Sequence, residues 1–158
     1  MNKPDQLTTN SSQPVSAPIW QRLAAAIYDV LPLLALWFVA GALAQALTAG
    51  TFDTHRSAHK LLLQILLIVP TAAYFILSWL RGGQTIGMRA WRLRVVSSDA
   101  VALTPARAAL RFGVAVVSLL AVGIGFAWIL IDPQRRAWHD IAARTRVVRA
   151  NKAMSTST

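Results

Sequence analysis

Cysteine and glutamate are both missing from the sequence, and lysine occurs only at Lys3, Lys60 and Lys152. Without cysteine there is no disulfide and no thiolate metal site. Without glutamate, the acids reduce to six aspartates against 16 Lys+Arg, a net charge of +10. The polar surface therefore suits the anionic headgroups of a lipid bilayer better than acidic macromolecules. Nucleic acid is a poor fit as a partner, because no basic helix or zinc-finger spacing stands outside the apolar segments. Charged residues make up only 14% of the chain, apolar residues 55%, and mean hydropathy is +0.47. That balance is too oily for a soluble domain of 158 residues and indicates a small all-α integral membrane protein. The excess of Arg over Lys, with abundant Ala, points to a high-GC bacterium, so the bacterial inner (cytoplasmic) membrane is the expected location.

Residues 1–18, "MNKPDQLTTNSSQPVSAP", contain three prolines and almost no large apolar side chains. They cannot offset the entropy of ordering and are expected to be a disordered tail, with a second flexible tail over 149–158. Between the tails lie three apolar segments. Ile19 to Leu47 and Lys60 to Leu80 are each long enough to cross roughly 30 Å of hydrocarbon at about 1.5 Å per residue. Trp20 and Trp79 suit interfacial anchors. "ALA" at 42–44 resembles a signal-peptide cleavage site, but the preceding run is too long and contains Asp29 and Pro32.

The third segment, Leu110 to Ile131, is equally long but contains Gly123 and Gly125. Here length and charge disagree. Three spans would put the 81–109 connection and the carboxyl tail on opposite sides, yet both are loaded with arginine, and the positive-inside bias draws both to the cytoplasm. A re-entrant hairpin around Gly123-Ile124-Gly125 would reconcile them, if protein or water satisfies its backbone. Length alone favours a spanning helix with a basic periplasmic end. "LRVV" at 93–96 and "TRVV" at 145–148 have the composition of strands. If they pair, both lie on one side and the hairpin is favoured; "VVSSDAVAL" at 95–103 could alternatively turn on itself around Ser98-Asp99. The expected architecture is a small transmembrane helical bundle, with two spans and a third spanning or re-entrant segment, bearing short extended elements on a basic cytoplasmic face.

Four stretches carry a family resemblance: Arg22 with Asp29 in the first helix, "GGQTIGMRAWRLRVV" at 82–96, "LTPARAALRFG" at 103–113, and "DPQRRAWHDIAARTRVV" at 132–148. Together, in this order, they resemble the RDD family of membrane proteins, which is named for one arginine and two aspartates. The resemblance covers roughly 19–148, taken as the transmembrane domain. It implies that Arg22 is the family arginine, Asp29 the first aspartate and Asp140 the second, with Asp132 the fallback. The family usually has a Gly-containing turn where this chain has "SSDA", and a Gly where it has Arg144. Cation/proton exchange has been proposed for some members.

The residues themselves raise a physical problem. Arg22 and Asp29 lie two helical turns apart, about 10 Å along the axis, too far for easy contact. Arg22 can snorkel to the headgroups, but the short Asp29 side chain needs a partner from another segment or a proton. Arg107 and Arg111, four apart at the start of the third segment, are the candidates for that ion pair, with Arg81 and Arg89 behind them and Arg111 preferred. Ala25, Ala26 and Ala40 share the Asp29 face and would let another helix approach.

Two functions follow. Either the aspartates tie helices together in a structural or partner-binding module, or Asp29 exchanges a proton or cation, with the Tyr28 carbonyl freed by Pro32 as an extra ligand. So few helices would need a homo-oligomer or another membrane protein to enclose a path. No enzymatic constellation, metal site or cofactor motif is visible. His139 beside Asp140 lacks a nucleophile, and His55 with His59 lacks a third ligand except Asp53. "GGQTIG" lacks the end of a phosphate loop. Arg89, Trp91, Arg92 and Arg94, with Arg135 and Arg136, read as interfacial groups on anionic headgroups. Thr104-Pro105 reads as an N-cap before the third segment.

Overall fold

A computed structural model of the chain describes residues 16–53, 55–99 and 102–150. Most of both expected tails, 1–15 and 151–158, lies outside the described residues. Two long helices, α1 (Ile19–Leu47) and α2 (Ser57–Gly82), form an antiparallel pair. Small residues set their approach, since Ala40 and Ala44 of α1 are buried on a helix that packs along α2. Trp37 Nε1 donates to Thr71 Oγ1 across the seam at 2.9 Å. The alanine face expected to let another helix approach is thus largely used inside the chain; only Ala26 of that face stays exposed. Elsewhere both helices turn large apolar side chains outward, among them Leu31 and Phe38 of α1 and Leu61 and Ile68 of α2. Such surfaces are not stable against water, and both helices are long and apolar enough to cross a membrane.

The connection after α2 is built by its turn residues. Gly83 closes α2 in the left-handed region at φ +67°, where its amide donates to the Trp79 carbonyl at 2.9 Å. Thr85 then caps the short helix α3 (Ile86–Ala90), its hydroxyl oxygen accepting from Met88 N at 3.2 Å. α3 lies on the first turns of α1. Gly87 permits this approach, because a Cβ there would collide with the Ala25 carbonyl.

Strand β1 (Leu93–Ser97) pairs antiparallel with β2 (Thr145–Arg149), with Leu93 opposite Arg149, Val95 opposite Val147 and Ser97 opposite Thr145. The two β-branched runs do find each other, rather than β1 folding back on the residues just after it. The other edge of β2 takes the start of the chain: Ser16 bridges Val148 and Ala17 N–H donates to the Val147 carbonyl at 2.9 Å. Ser16 and Ala17, expected within the disordered tail, are therefore docked, with Ala17 fully buried. Arg149, assigned to the flexible tail, is the last residue of β2.

The third apolar segment is not one helix. α4 (Pro105–Leu120) begins at the expected Thr104 cap, and ends before Val122 and Gly123, both at positive φ. It is followed by α5 (Ile124–Ala127) and a 3-10 turn (Trp128–Leu130), a stretch bent by 109° from α4. Gly125 packs on Ser118 of α4 and on Trp138, with no room for a Cβ. Helix α6 (Trp138–Ala142) then leads into β2. Because β1 precedes this segment, β2 follows it, and the two are paired, the segment must leave and return to one end of the bundle. The spanning helix favoured by length is corrected to a broken, re-entrant hairpin. Every arginine except Arg56 belongs to that same end.

Candidate functional site

Asp140, in the first turn of α6, has no exposed surface. Its Oδ2 accepts from Arg22 Nη1 at 2.7 Å and from its own helix's Ala137 N–H at 3.2 Å. Its Oδ1 accepts from Arg111 Nη1, which also donates to Thr145 Oγ1 at 2.6 Å. Arg22 spends its other donors on the Ala17, Arg135 and Val147 carbonyls. One carboxylate thus ties α1, α4, α6 and β2. The Arg111 guanidinium also lies 4.9 Å over the Trp79 ring, a cation–π contact with α2. Trp79, expected at the headgroups, is buried beneath this cluster instead.

Burial alone would raise the pKa of Asp140, but Arg111, His139 and Arg22 outweigh it and hold the carboxyl below the usual range. His139 moves the other way for its type. Burial and the charge of Arg111 lower its pKa to about 3, against a smaller opposing pull from Asp140. The imidazole is neutral at pH 7, so the cluster holds two guanidinium charges against one carboxylate.

Asp29 is 4% exposed and meets no arginine. Its Oδ1 accepts from Tyr74 Oη at 2.7 Å and from Gly87 N–H at 2.8 Å. Its Oδ2 accepts from Thr85 Oγ1 at 2.6 Å. Tyr74 Oη in turn accepts from Ile86 N–H at 3.2 Å. Asp29 therefore caps α3 from another helix, satisfying amides that a helix start leaves unpaired. The expected Asp29–Arg111 pair is corrected, since Arg111 belongs to Asp140. Beyond Asp29, the run from Val30 to Leu47 rises about 27 Å, close to one hydrocarbon thickness of roughly 30 Å. Asp29 thus marks one edge of the crossing rather than its middle.

The remaining candidates are dispersed. Arg107, the other proposed partner of Asp29, grips Asp99 through two bonds of 3.0 and 2.8 Å and holds that exposed carboxyl below its usual pKa. Asp132, the fallback aspartate, organises its own loop by accepting from Gln134 N–H, Arg136 N–H and the Arg136 side chain; chiefly through Arg136 its pKa is lowered. Trp91 stands edge-on to Trp20 and Tyr28 at 5.5 and 6.1 Å. Arg94 Nε donates to the Gly82 carbonyl at 3.1 Å, whereas Arg89, Arg92 and Arg135 remain exposed and Arg136 half-buried. His59 Nδ1 accepts from Asp53 N–H at 3.0 Å. Among the described residues no three potential ligands gather as a metal site.

Arg22, Asp29, Trp79, Arg111 and His139 all line a cavity of about 470 Å³ between α1, α2, α4 and α5. Sequence reading missed Tyr74, Thr85, Gly87 and Thr145, all neutral groups. Thr85 and Gly87 sit in "GGQTIG", whose cap-and-glycine spacing was the available sign. Tyr74 and Thr145 carry none.

Two crossing helices, a re-entrant hairpin and a two-stranded sheet locked by a buried Arg–Asp–Arg cluster define a small integral membrane protein. The chain belongs to the RDD family, whose family model matches residues 16–144. Neither a curated protein nor a solved structure matches it.

Proposed function

We propose that the chain is a structural or partner-binding membrane module, in which Arg22, Asp29 and Asp140 are fixed ties between elements. The observation that carries this reading is the saturation of both aspartates. Asp29 receives three donors, and Asp140 receives two guanidinium groups and an amide. Oxygens committed to fixed protein donors suit a tie between elements, as fully hydrogen-bonded buried polar groups do. The arginine-rich end is assigned to the cytoplasm of a bacterial inner membrane by the positive-inside bias, against anionic headgroups. Partners are a second copy or another membrane protein, met on the exposed apolar faces of α1 and α2.

Cation/proton exchange is the second reading, and one observation favours it: Asp29 lines the cavity. Proteoliposomes containing the purified full chain separate the two. The module reading expects no cation flux driven by a pH gradient, and a lower unfolding temperature for Asp29→Asn. Flux that is lost in a folded Asp29→Asn variant would overturn it.

A further inference from the structure

Three buried nitrogens around the cavity have no hydrogen-bond partner: Trp79 Nε1, Arg111 Nε and His139 Nδ1. All three residues line it, and each is nine-tenths or more buried: Trp79 and His139 are 8% exposed and Arg111 3%. Buried polar groups are rarely left unpaired, and Trp79 Nε1 and Arg111 Nε can only donate. Both want an acceptor. The cluster beside them is also one negative charge short, because Arg22 and Arg111 share Asp140 and His139 is neutral at pH 7. Asp29, on the same wall, turns its oxygens to Tyr74, Thr85 and Gly87.

The rest of the wall is apolar, including Leu23, Phe75, Leu119, Phe126 and Ile129. Leu23, Leu119 and Ala127 are exposed, so the cavity opens onto the surface that faces lipid. A soluble anion would have to reach it past hydrocarbon; a lipid would enter from beside it.

We propose that this cavity is a binding site for an acidic membrane lipid, its anionic head at the Trp79–Arg111–His139 end and its chain along the apolar wall. The site needs only the membrane placement of the fold and is independent of the module reading. The head supplies the missing acceptors and charge, and the volume lies within the roughly 300–1,000 Å³ of small-ligand sites. The exposed arginines would also attract acidic lipid, but without using the cavity.

The test is retention of lipid by the purified full chain in neutral detergent, read as adducts by native mass spectrometry after exposure to phosphatidylglycerol, phosphatidylcholine or inorganic phosphate. Phosphatidylglycerol should be retained about tenfold over phosphatidylcholine. Ala127→Trp, which fills the cavity mouth and leaves Arg22, Arg111 and Asp140 untouched, should abolish the adduct without lowering the unfolding temperature. Trp79→Phe, which keeps a ring and removes the donor, should weaken retention roughly three- to tenfold. Equal retention of the two lipids overturns the proposal, as does an adduct that survives Ala127→Trp, which the surface arginines would then be holding. So does displacement by inorganic phosphate alone, which would make the site one for a free anion.

Discussion

At the scale of single residues, the two aspartates differ in what their loss exposes. Asp140→Asn leaves Arg22 and Arg111 buried side by side without a counter-charge, and should cost about 3–5 kcal/mol. Asp29→Asn keeps the shape and leaves hydroxyl groups free to reorient, so about 1–3 kcal/mol is expected. Unfolding of the detergent-solubilised variants checks the order, and a larger cost for Asp29→Asn would reverse the assignment. His139 adds a pH dependence. Its folded pKa of about 3 lies below the usual 6.5, so between these values the unfolded chain binds more protons. Stability should fall as pH drops from 6.5 toward 3, by at most about 1.4 kcal/mol per unit, and His139→Gln should flatten that slope. Asp140 has the depressed carboxylate pattern: its contribution is present above the ordinary carboxylate range and is lost only as pH falls through its lower folded value. Sequence alone singled out Arg22, Asp29 and Arg111 as charges needing an explanation, because charge in an apolar run is costly; Asp140 came only from the family resemblance. Sequence reading paired them wrongly. Arg22 meets a residue 118 positions away, and Asp29 is satisfied by neutral donors that hydropathy and charge do not mark.

At the scale of elements, local backbone rules carry much of the architecture. Gly87→Ala would push α3 off α1 and disturb the amide that Asp29 holds, and a loss of about 1–3 kcal/mol is expected. Arg144 offers the opposite sign. It occupies the left-handed region at φ +51° just before β2, at the position where the family usually has glycine, and its side chain is exposed. Arg144→Gly should relieve roughly 1–2 kcal/mol of backbone strain while adding about 0.5–1 kcal/mol of unfolded-state freedom. A net gain of about 0.5–1 kcal/mol in unfolding free energy is the expected outcome, and a loss would show that the arginine head holds something the strain argument omits. The Thr104-Pro105 cap was readable from sequence because it depends only on neighbours. The break at Val122-Gly123 was half-readable: Gly123 and Gly125 marked it, but a run of apolar residues long enough to span concealed it.

At the scale of the whole molecule, one pairing decides the topology. Hydropathy counted three crossings, charge objected, and length tipped the reading toward a spanning helix while β1 and β2 were only two similar tetrapeptides. Their pairing, with Ser16 and Ala17 on the far edge of β2, puts the start, middle and end of the described chain on one side of the bilayer. The loop between α1 and α2 lies on the other. Because the chain has no cysteine, single introduced cysteines report this cleanly. In right-side-out spheroplasts, an impermeant maleimide should label Thr51→Cys and leave Ser98→Cys and Arg149→Cys unlabelled, whereas lysed membranes should expose all three. Labelling of Arg149→Cys from outside, with Ser98→Cys protected, would require α4 and the stretch after it to cross the bilayer. The sheet could not then form, and Arg22 could not reach Asp140 from the opposite face. The labelling pattern therefore tests the buried cluster as well as the path of the chain.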